Sequence, residues 1–282
     1  MKLSVCTISF RHHLISIEEV ARWARMHGFQ GIELWGPHAR NLSREPGYGA
    51  EWLSAYGLEV SMLSDYLPLD GSVSELRAKV RSLTELASRW GARKLRTFAG
   101  TVGSVGLARA ERRRIAERLR TACDLLPATN LVLLVETHPQ TLADTTDSTL
   151  DLLAEVDHPR LRINFDVLHL WEAGDEPATA LATLRKYVSH YHLKNIRDRS
   201  ELGVFSPANV YSPAGSRSGM VPLHDGALDY RTFLSTLAGD ERAEASLEWF
   251  GDDVERTLRE DLAFIRGLAS RRSSPHASQP PR

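Results

Sequence analysis

Four short apolar runs in this chain each end on groups that could do chemistry. LLVETHP carries Glu136 and His138, INFDVLH carries Asp166 and His169, HYHLKN carries His192 and Lys194, and SLEWF carries Glu248. A charged side chain in an apolar strand is costly to bury unless it is paired, hydrogen-bonded or metal-bound. Strand side chains alternate, so Glu136 shares a face with His138, and His192 with Lys194. One such residue needs no more than an Arg or Lys partner. Four strands in succession ending this way need a common cause, and a metal supplies it. Glu136, Asp166, His192 and Glu248 make a hard, anionic set of three carboxylates and one imidazole. Oxygen-rich sites suit Mn2+ or Mg2+, and the imidazole moves the balance toward Mn2+ or Co2+. Zinc fits less well, because its closed sites favour four tetrahedral ligands with Cys or several His. One divalent ion, Mn2+ first, is the expected cofactor.

Other residues could serve a substrate beside such a centre. His138 and His169 are candidate acid-base groups, since imidazole titrates near working pH. Tyr66, after SMLSD, is a candidate partner in proton transfer, though a loop tyrosine often only packs. Lys194 could neutralise a carboxylate or an oxyanion, or pair with Glu33 or another strand-end acid. Glu33 and Arg96 end the second and fourth apolar runs and could meet substrate or each other. Arg217 lies in a long loop, and His12 sits beside His13 after the first run; a solvated role is open for each. Trp35, Trp171 and Trp249 could line a pocket or simply pack. Cys6, with no base beside it, reads as a small core residue.

The elements that must position these residues alternate. β-type runs at Leu3–Ile8, Gly31–Trp35, Leu58–Leu63, Lys94–Phe98, Leu131–Glu136, Leu161–Asp166, Val188–Lys194 and Ala245–Trp249 are separated by helical patterns. Ser16-Ile17-Glu18-Glu19 reads as a capping box and Gly28 as a stop; Ser72–Trp90 has a helical period closed by Gly91. Leu107–Leu126 is a further helix whose arginines (Arg112–Arg114, Arg118, Arg120) read as a solvated face. Eight strand-helix units in series predict an α/β fold of the closed (β/α)8 TIM barrel type, with its active site at the C-terminal strand ends. An open doubly wound sheet would carry a Gly-rich loop after its first strand, and CTISFRHH is not one. About thirty residues, Asn195 to Leu228, part the seventh strand from its helix, and loops of that length often form lids. The expected organisation is one barrel domain over residues 1–269 and a Ser/Pro/Arg-rich disordered tail over 270–282.

The chain has 282 residues, 25% of them charged, and a net charge of −1. That balance gives no electrostatic ground for a nucleic-acid or membrane partner. Two cysteines make no disulfide framework, and the N-terminus lacks the apolar run of a secretion signal, so a cytoplasmic setting is expected. Barrel enzymes are often homo-oligomers, and nothing here fixes a subunit number.

The segments CTISFRH, GFQGIELWGPHARNL, SDYL, RTFAG, ETHPQTL, EVDHPRLRINFDVLHLWEAG, HYHLKN, AGSRSGMVPLHDG and SLEWFG run through nearly the whole chain. In them the chain resembles the xylose-isomerase-like metal-dependent barrels, and within these it closely resembles the single-domain 3-dehydroshikimate dehydratases of siderophore biosynthesis. The resemblance implies a small-molecule substrate, 3-dehydroshikimate, dehydrated to protocatechuate. It implies metal ligation by Glu136, Asp166, His192 and Glu248, acid-base roles for His138 and Tyr66, and substrate contacts from Arg96, His169, Lys194 and Arg217. Sugar isomerases of this group often carry Asp after the strand-seven Lys; here that residue is Asn195. A metal-dependent sugar isomerase or epimerase, or an inosose dehydratase, is the enzymatic alternative. A non-catalytic ligand-binding barrel is the alternative of another class, and an endonuclease barrel lacks the His-rich multi-metal pattern it would need.

Overall fold

The computed structural model describes residues 1–273. Its barrel strands are β1 (Lys2–Cys6), β2 (Gly31–Trp35), β3 (Glu59–Ser64), β4 (Lys94–Thr97), β5 (Val132–Glu136), β6 (Leu161–Asp166) and β7 (Val188–Leu193). A two-residue ribbon, β8 (Asn195–Ile196) against β9 (Met220–Val221), follows, and β10 (Glu244–Leu247) closes the ring. All eight barrel pairings are parallel, in the spatial order β1-β10-β7-β6-β5-β4-β3-β2, and β1 pairs with β2. The expected barrel is therefore present, with strand ends within two residues of the sequence reading.

The local signals act as expected. Ser16 accepts from Glu19 N while Glu19 returns a bond to Ser16 N, and Gly28 ends that helix at φ 85°. The same reciprocal cap, Ser72 with Glu75, opens the helix Val73–Trp90. The arginines of the helix Arg109–Asp124 do more than face water: Arg112 clasps Glu155 and Ser148 of the next helix, and Arg114 reaches Asp70. The thirty-residue connection is not structureless. It holds β8, a 3-10 helix Arg199–Phe205, the short helix Pro207–Tyr211 and β9.

At the other end, the last helix, Val254–Ser273, continues past the expected start of a disordered tail at Ser270. The rest of that expectation, 274–282, lies outside the described residues.

Strand alternation sorts the side chains by polarity. Leu95, Leu133, Val135, Ile163, Phe165, Leu193 and Leu247 are buried beneath the surrounding helices. The side chains that meet across the barrel axis are polar: Lys94 with Glu244 and His190, His190 with Ser246, and His192 with Glu33. Both cysteines are free and buried, and burial pushes the Cys6 thiol well above its ordinary range, so Cys6 is a core residue.

Candidate active site

His192, on β7, is held from two sides. Its Nε2 meets Glu33 Oε2 at 2.8 Å, and Ser64 donates to the other Glu33 oxygen. Its Nδ1 faces three carboxylates: Glu248 Oε2 at 3.4 Å, Glu136 Oε1 at 3.6 Å and Asp166 Oδ2 at 3.8 Å. These spacings exceed hydrogen-bond range, and Nδ1 is a fully buried nitrogen without a hydrogen-bond partner. Burial opposes charge on this imidazole, yet Glu248, Glu33 and Glu136 outweigh it and hold its pKa well above the usual range. A buried, unpartnered nitrogen facing three carboxylates could take a cation, since protons and metal ions compete for the same lone pair.

Ligand atoms of Glu136, Asp166 and His192 lie within 4.8 Å of one another, and Glu248 adds a third carboxylate. The donor set and the orphaned Nδ1 fit a divalent ion. The Glu33–His192 contact is the usual outer support of a metal-bound imidazole.

Each ligand candidate is placed by its strand and divides its atoms between jobs. Asp166 ends β6 and caps the helix Val167–Ala173: Oδ1 accepts from His169 N at 3.1 Å, which leaves Oδ2 to face Lys194 and His192. Lys194 Nζ pairs with that oxygen and with Glu248 Oε2 at 2.8 Å. Arg96 Nε stands 2.9 Å from Glu136 Oε2, and its guanidinium lies about 5 Å from the centres of both the Tyr66 and Phe98 rings, which also touch each other. Burial lowers the pKa of Arg96, but Glu136 and Tyr66 raise it further, and the group stays charged. Its Nη1 is buried without a partner, a free donor on the cavity wall.

His138 Nδ1 is 2.7 Å from the Pro139 carbonyl oxygen, which only accepts, so Nδ1 carries the hydrogen and Nε2 keeps its lone pair. Burial, and then the nearby His169, lower the His138 pKa to about 3. The His169 ring packs against His138 at a tilt, and its own Nδ1 meets Glu172 Oε2 at 2.9 Å.

The cavity above these groups measures only about 40 Å3 and is walled by Tyr66, Arg96, His138, His169, Lys194 and Glu248. Its roof comes from the long connection. Phe205, Pro207, Val210 and Tyr211 reach over the mouth, and the Tyr211 hydroxyl bonds that of Tyr66. A cleft of about 480 Å3 adjoins it and shares His138 and His169.

Three expected substrate residues are placed elsewhere. Glu33 is completely buried with both oxygens taken by Ser64 and His192, so it supports the imidazole instead of meeting substrate. Arg217 spends its guanidinium on the backbone carbonyls of Asn209, Ser212 and Ser216, bracing the roof segment. His12 is exposed outside the cavity; its neighbour Arg11 instead bonds Val210 O at 2.6 Å and lies over Phe250. Asn195 does not face the cavity either, because its amide is spent on Leu223 and Leu228. It therefore gives no test between sugars and other substrates. Trp35 stacks on Tyr211, Trp171 lies under Arg199, and none of the three candidate tryptophans lines the cavity. Sequence reasoning missed Tyr211 and Phe205; the only signal for them was the length of their segment.

A closed barrel of eight parallel strands with acids and an imidazole converging at its C-terminal mouth defines the class, and the chain belongs to the xylose isomerase-like TIM barrel family, matched over residues 21–268. It is 44% identical over 271 residues, 94% of this chain and 96% of the relative, to 3-dehydroshikimate dehydratase of Bacillus anthracis. Among solved structures it is similar to the probable 3-DHS dehydratase AsbF involved in petrobactin synthesis from Bacillus anthracis. That likeness has a TM-score of 0.90 and 43% identity, over 94% of this chain and 99% of the other. The IOLI protein with a bound zinc atom shares the fold at a TM-score of 0.76 and 16% identity, over 98% of this chain and 100% of the other.

Proposed function

We propose that this protein is a divalent-metal-dependent 3-dehydroshikimate dehydratase that forms protocatechuate and water. The observation that carries the metal-centred part is the unpartnered His192 Nδ1 facing three carboxylates. The substrate is supported by the similarity along 94% of the chain to a dehydratase of that name.

Glu136, Asp166, His192 and Glu248 hold the ion, Mn2+ by the hardness of the set and its one imidazole. When bound, it supplies Lewis acidity to the substrate oxygen that gains negative charge. The chain's own residues do the rest. Arg96, with Nη1 free, accepts the substrate carboxylate in the geometry a guanidinium favours. His138 Nε2 removes the proton next to the ketone, because the Pro139 carbonyl fixes the tautomer that leaves this nitrogen bare. The Tyr66 hydroxyl, paired with Tyr211 across the roof, donates to the departing hydroxyl. Lys194 and His169 hold the remaining oxygens. Loss of water and tautomerisation then give the aromatic ring, a catechol carboxylate of the kind iron-chelating siderophores incorporate.

The test is the ultraviolet spectrum of Mn2+-loaded protein with 3-dehydroshikimate beside a chelated control. Catechol-carboxylate absorbance growing only in the loaded sample supports the proposal. No change with metal confirmed bound removes this substrate.

A further inference from the structure

Lys194 stands just past the last residue of β7, where the chain leaves the barrel for the roof segment. Its two backbone groups meet one partner. The Lys194 N–H donates to the Tyr230 hydroxyl at 3.1 Å, and that hydroxyl donates to the Lys194 carbonyl at 2.7 Å. A phenol has one proton to give and lone pairs to receive, so a single oxygen satisfies both groups. Tyr230 is only 1% exposed and opens the helix Tyr230–Ser235, with its ring edge-on to Phe233. Its place is thus set by packing that does not involve the cavity. Burial raises its pKa well above the ordinary phenol range, which keeps the donated proton in place.

The next residue is fastened too. Asn195 donates to Leu223 O at 2.9 Å and Leu228 O at 3.0 Å, and it accepts from Ile196 N and Leu228 N. A side chain on Gly226 would stand 2.1 Å from Asn195 Cγ, so glycine is what lets the chain pass this amide.

We propose that Tyr230 is a positioning residue for the reaction: by gripping both backbone groups of Lys194 it sets the Lys194 ammonium over Asp166 and Glu248. This rests on the reading of Lys194 as a working residue of the site. A lysine side chain has four rotatable bonds, so its ammonium stays in one place only if its backbone does. A displacement near 1 Å at a reacting group costs roughly 100-fold in rate. Tyr230 does not itself line the cavity, and its effect passes through the backbone of Lys194, which does.

The experiment is Tyr230→Phe, which keeps the ring and deletes one oxygen, examined alone and combined with Lys194→Met in the metal-loaded enzyme. Amide exchange of a peptide spanning 190–196 should quicken at least about tenfold, as expected for a freed N–H. kcat should fall about 10- to 100-fold with KM changed far less. The loss should disappear in the Lys194→Met background, a non-additivity that a general loss of stability does not produce. Unchanged exchange, or a full multiplicative loss on top of Lys194→Met, overturns the proposal. Wild-type turnover by Lys194→Met alone overturns the role of Lys194, and the exchange measurement then still decides whether Tyr230 grips that backbone.

Discussion

The imidazole of His192 works only if one ring nitrogen is committed before the other is used. Glu33 makes that commitment, at 2.8 Å and with no access to water. Glu33→Gln keeps the volume but loses the charge that fixes the tautomer, and metal affinity is expected to drop roughly 10- to 100-fold. Competition against a chelating dye measures this, and an unaltered affinity would leave Glu33 with packing alone. His138 gives a contrasting case. His138→Ala should lower kcat about 100- to 10,000-fold, in the range of a lost general base, with bound metal unchanged by elemental analysis. Near-normal turnover would take the proton-transfer role away from it. At this scale the sequence marked the polar residues at apolar strand ends that converge on one point, Glu136, Asp166, His192 and Glu248. It was not readable where two residues of the same charge type differ only in what surrounds them. Glu33 looked like a substrate contact because nothing in GIELW reveals that a histidine about 160 positions later would claim it.

The segment between β7 and the helix Tyr230–Ser235 decides how a substrate gets in. A cavity of about 40 Å3 is far below the ~300 Å3 at which small-molecule pockets begin, and a movement of the roof that joined it to the adjoining cleft of about 480 Å3 would make room for a carboxylated ring. Hydrogen exchange across 199–221 is expected to slow when substrate or product is bound, and identical exchange with and without it would make the roof a fixed wall. The two ends of the segment are tied at Asn195. Asn195→Asp sets a carboxylate against the carbonyls of Leu223 and Leu228 and removes two donors. A loss of about 2–4 kcal/mol is expected from urea unfolding, since each lost partner leaves a buried polar atom unpaired. Periodicity made the helices and their caps legible, as the Ser16–Glu19 box illustrates. The roof carries no period, so its 3-10 turn, short helix and two-residue ribbon were invisible as structure, and Tyr211 with them.

Among the described residues no helix is long and apolar enough to cross a membrane, and stability rests on one closed barrel with its surrounding helices. Asp261, on the last helix, is buried, and its carboxylate accepts from Leu223 N at 2.7 Å. Burial raises its pKa to about 7; the Leu223 bond opposes this and Glu260 adds to it. A carboxyl whose folded pKa exceeds its unfolded value of about 3.9 stabilises the fold below that value. That contribution is lost as pH climbs through about 7. Asp261→Asn keeps an acceptor for Leu223 without the ionisation. Between pH 5 and 8 the native chain should therefore lose about 2.5 kcal/mol relative to this variant. Parallel urea midpoints for the two proteins across that range would count against it.

The axis of the barrel also bears on how this sequence can change over generations. Lys94, His190, Ser246 and Glu244 interlock beneath the Glu33–His192 pair, where an apolar filling would tolerate one exchange at a time. Removing one member of this half-buried set leaves its partner without its hydrogen bond, at about 1–3 kcal/mol, whereas replacing both partners by apolar groups of the same shape is close to neutral. Descendants of this chain are therefore expected to keep the group intact or to trade it as a block. Its members should drift in concert, and the floor of the barrel should record shared ancestry as a joint inheritance of several positions.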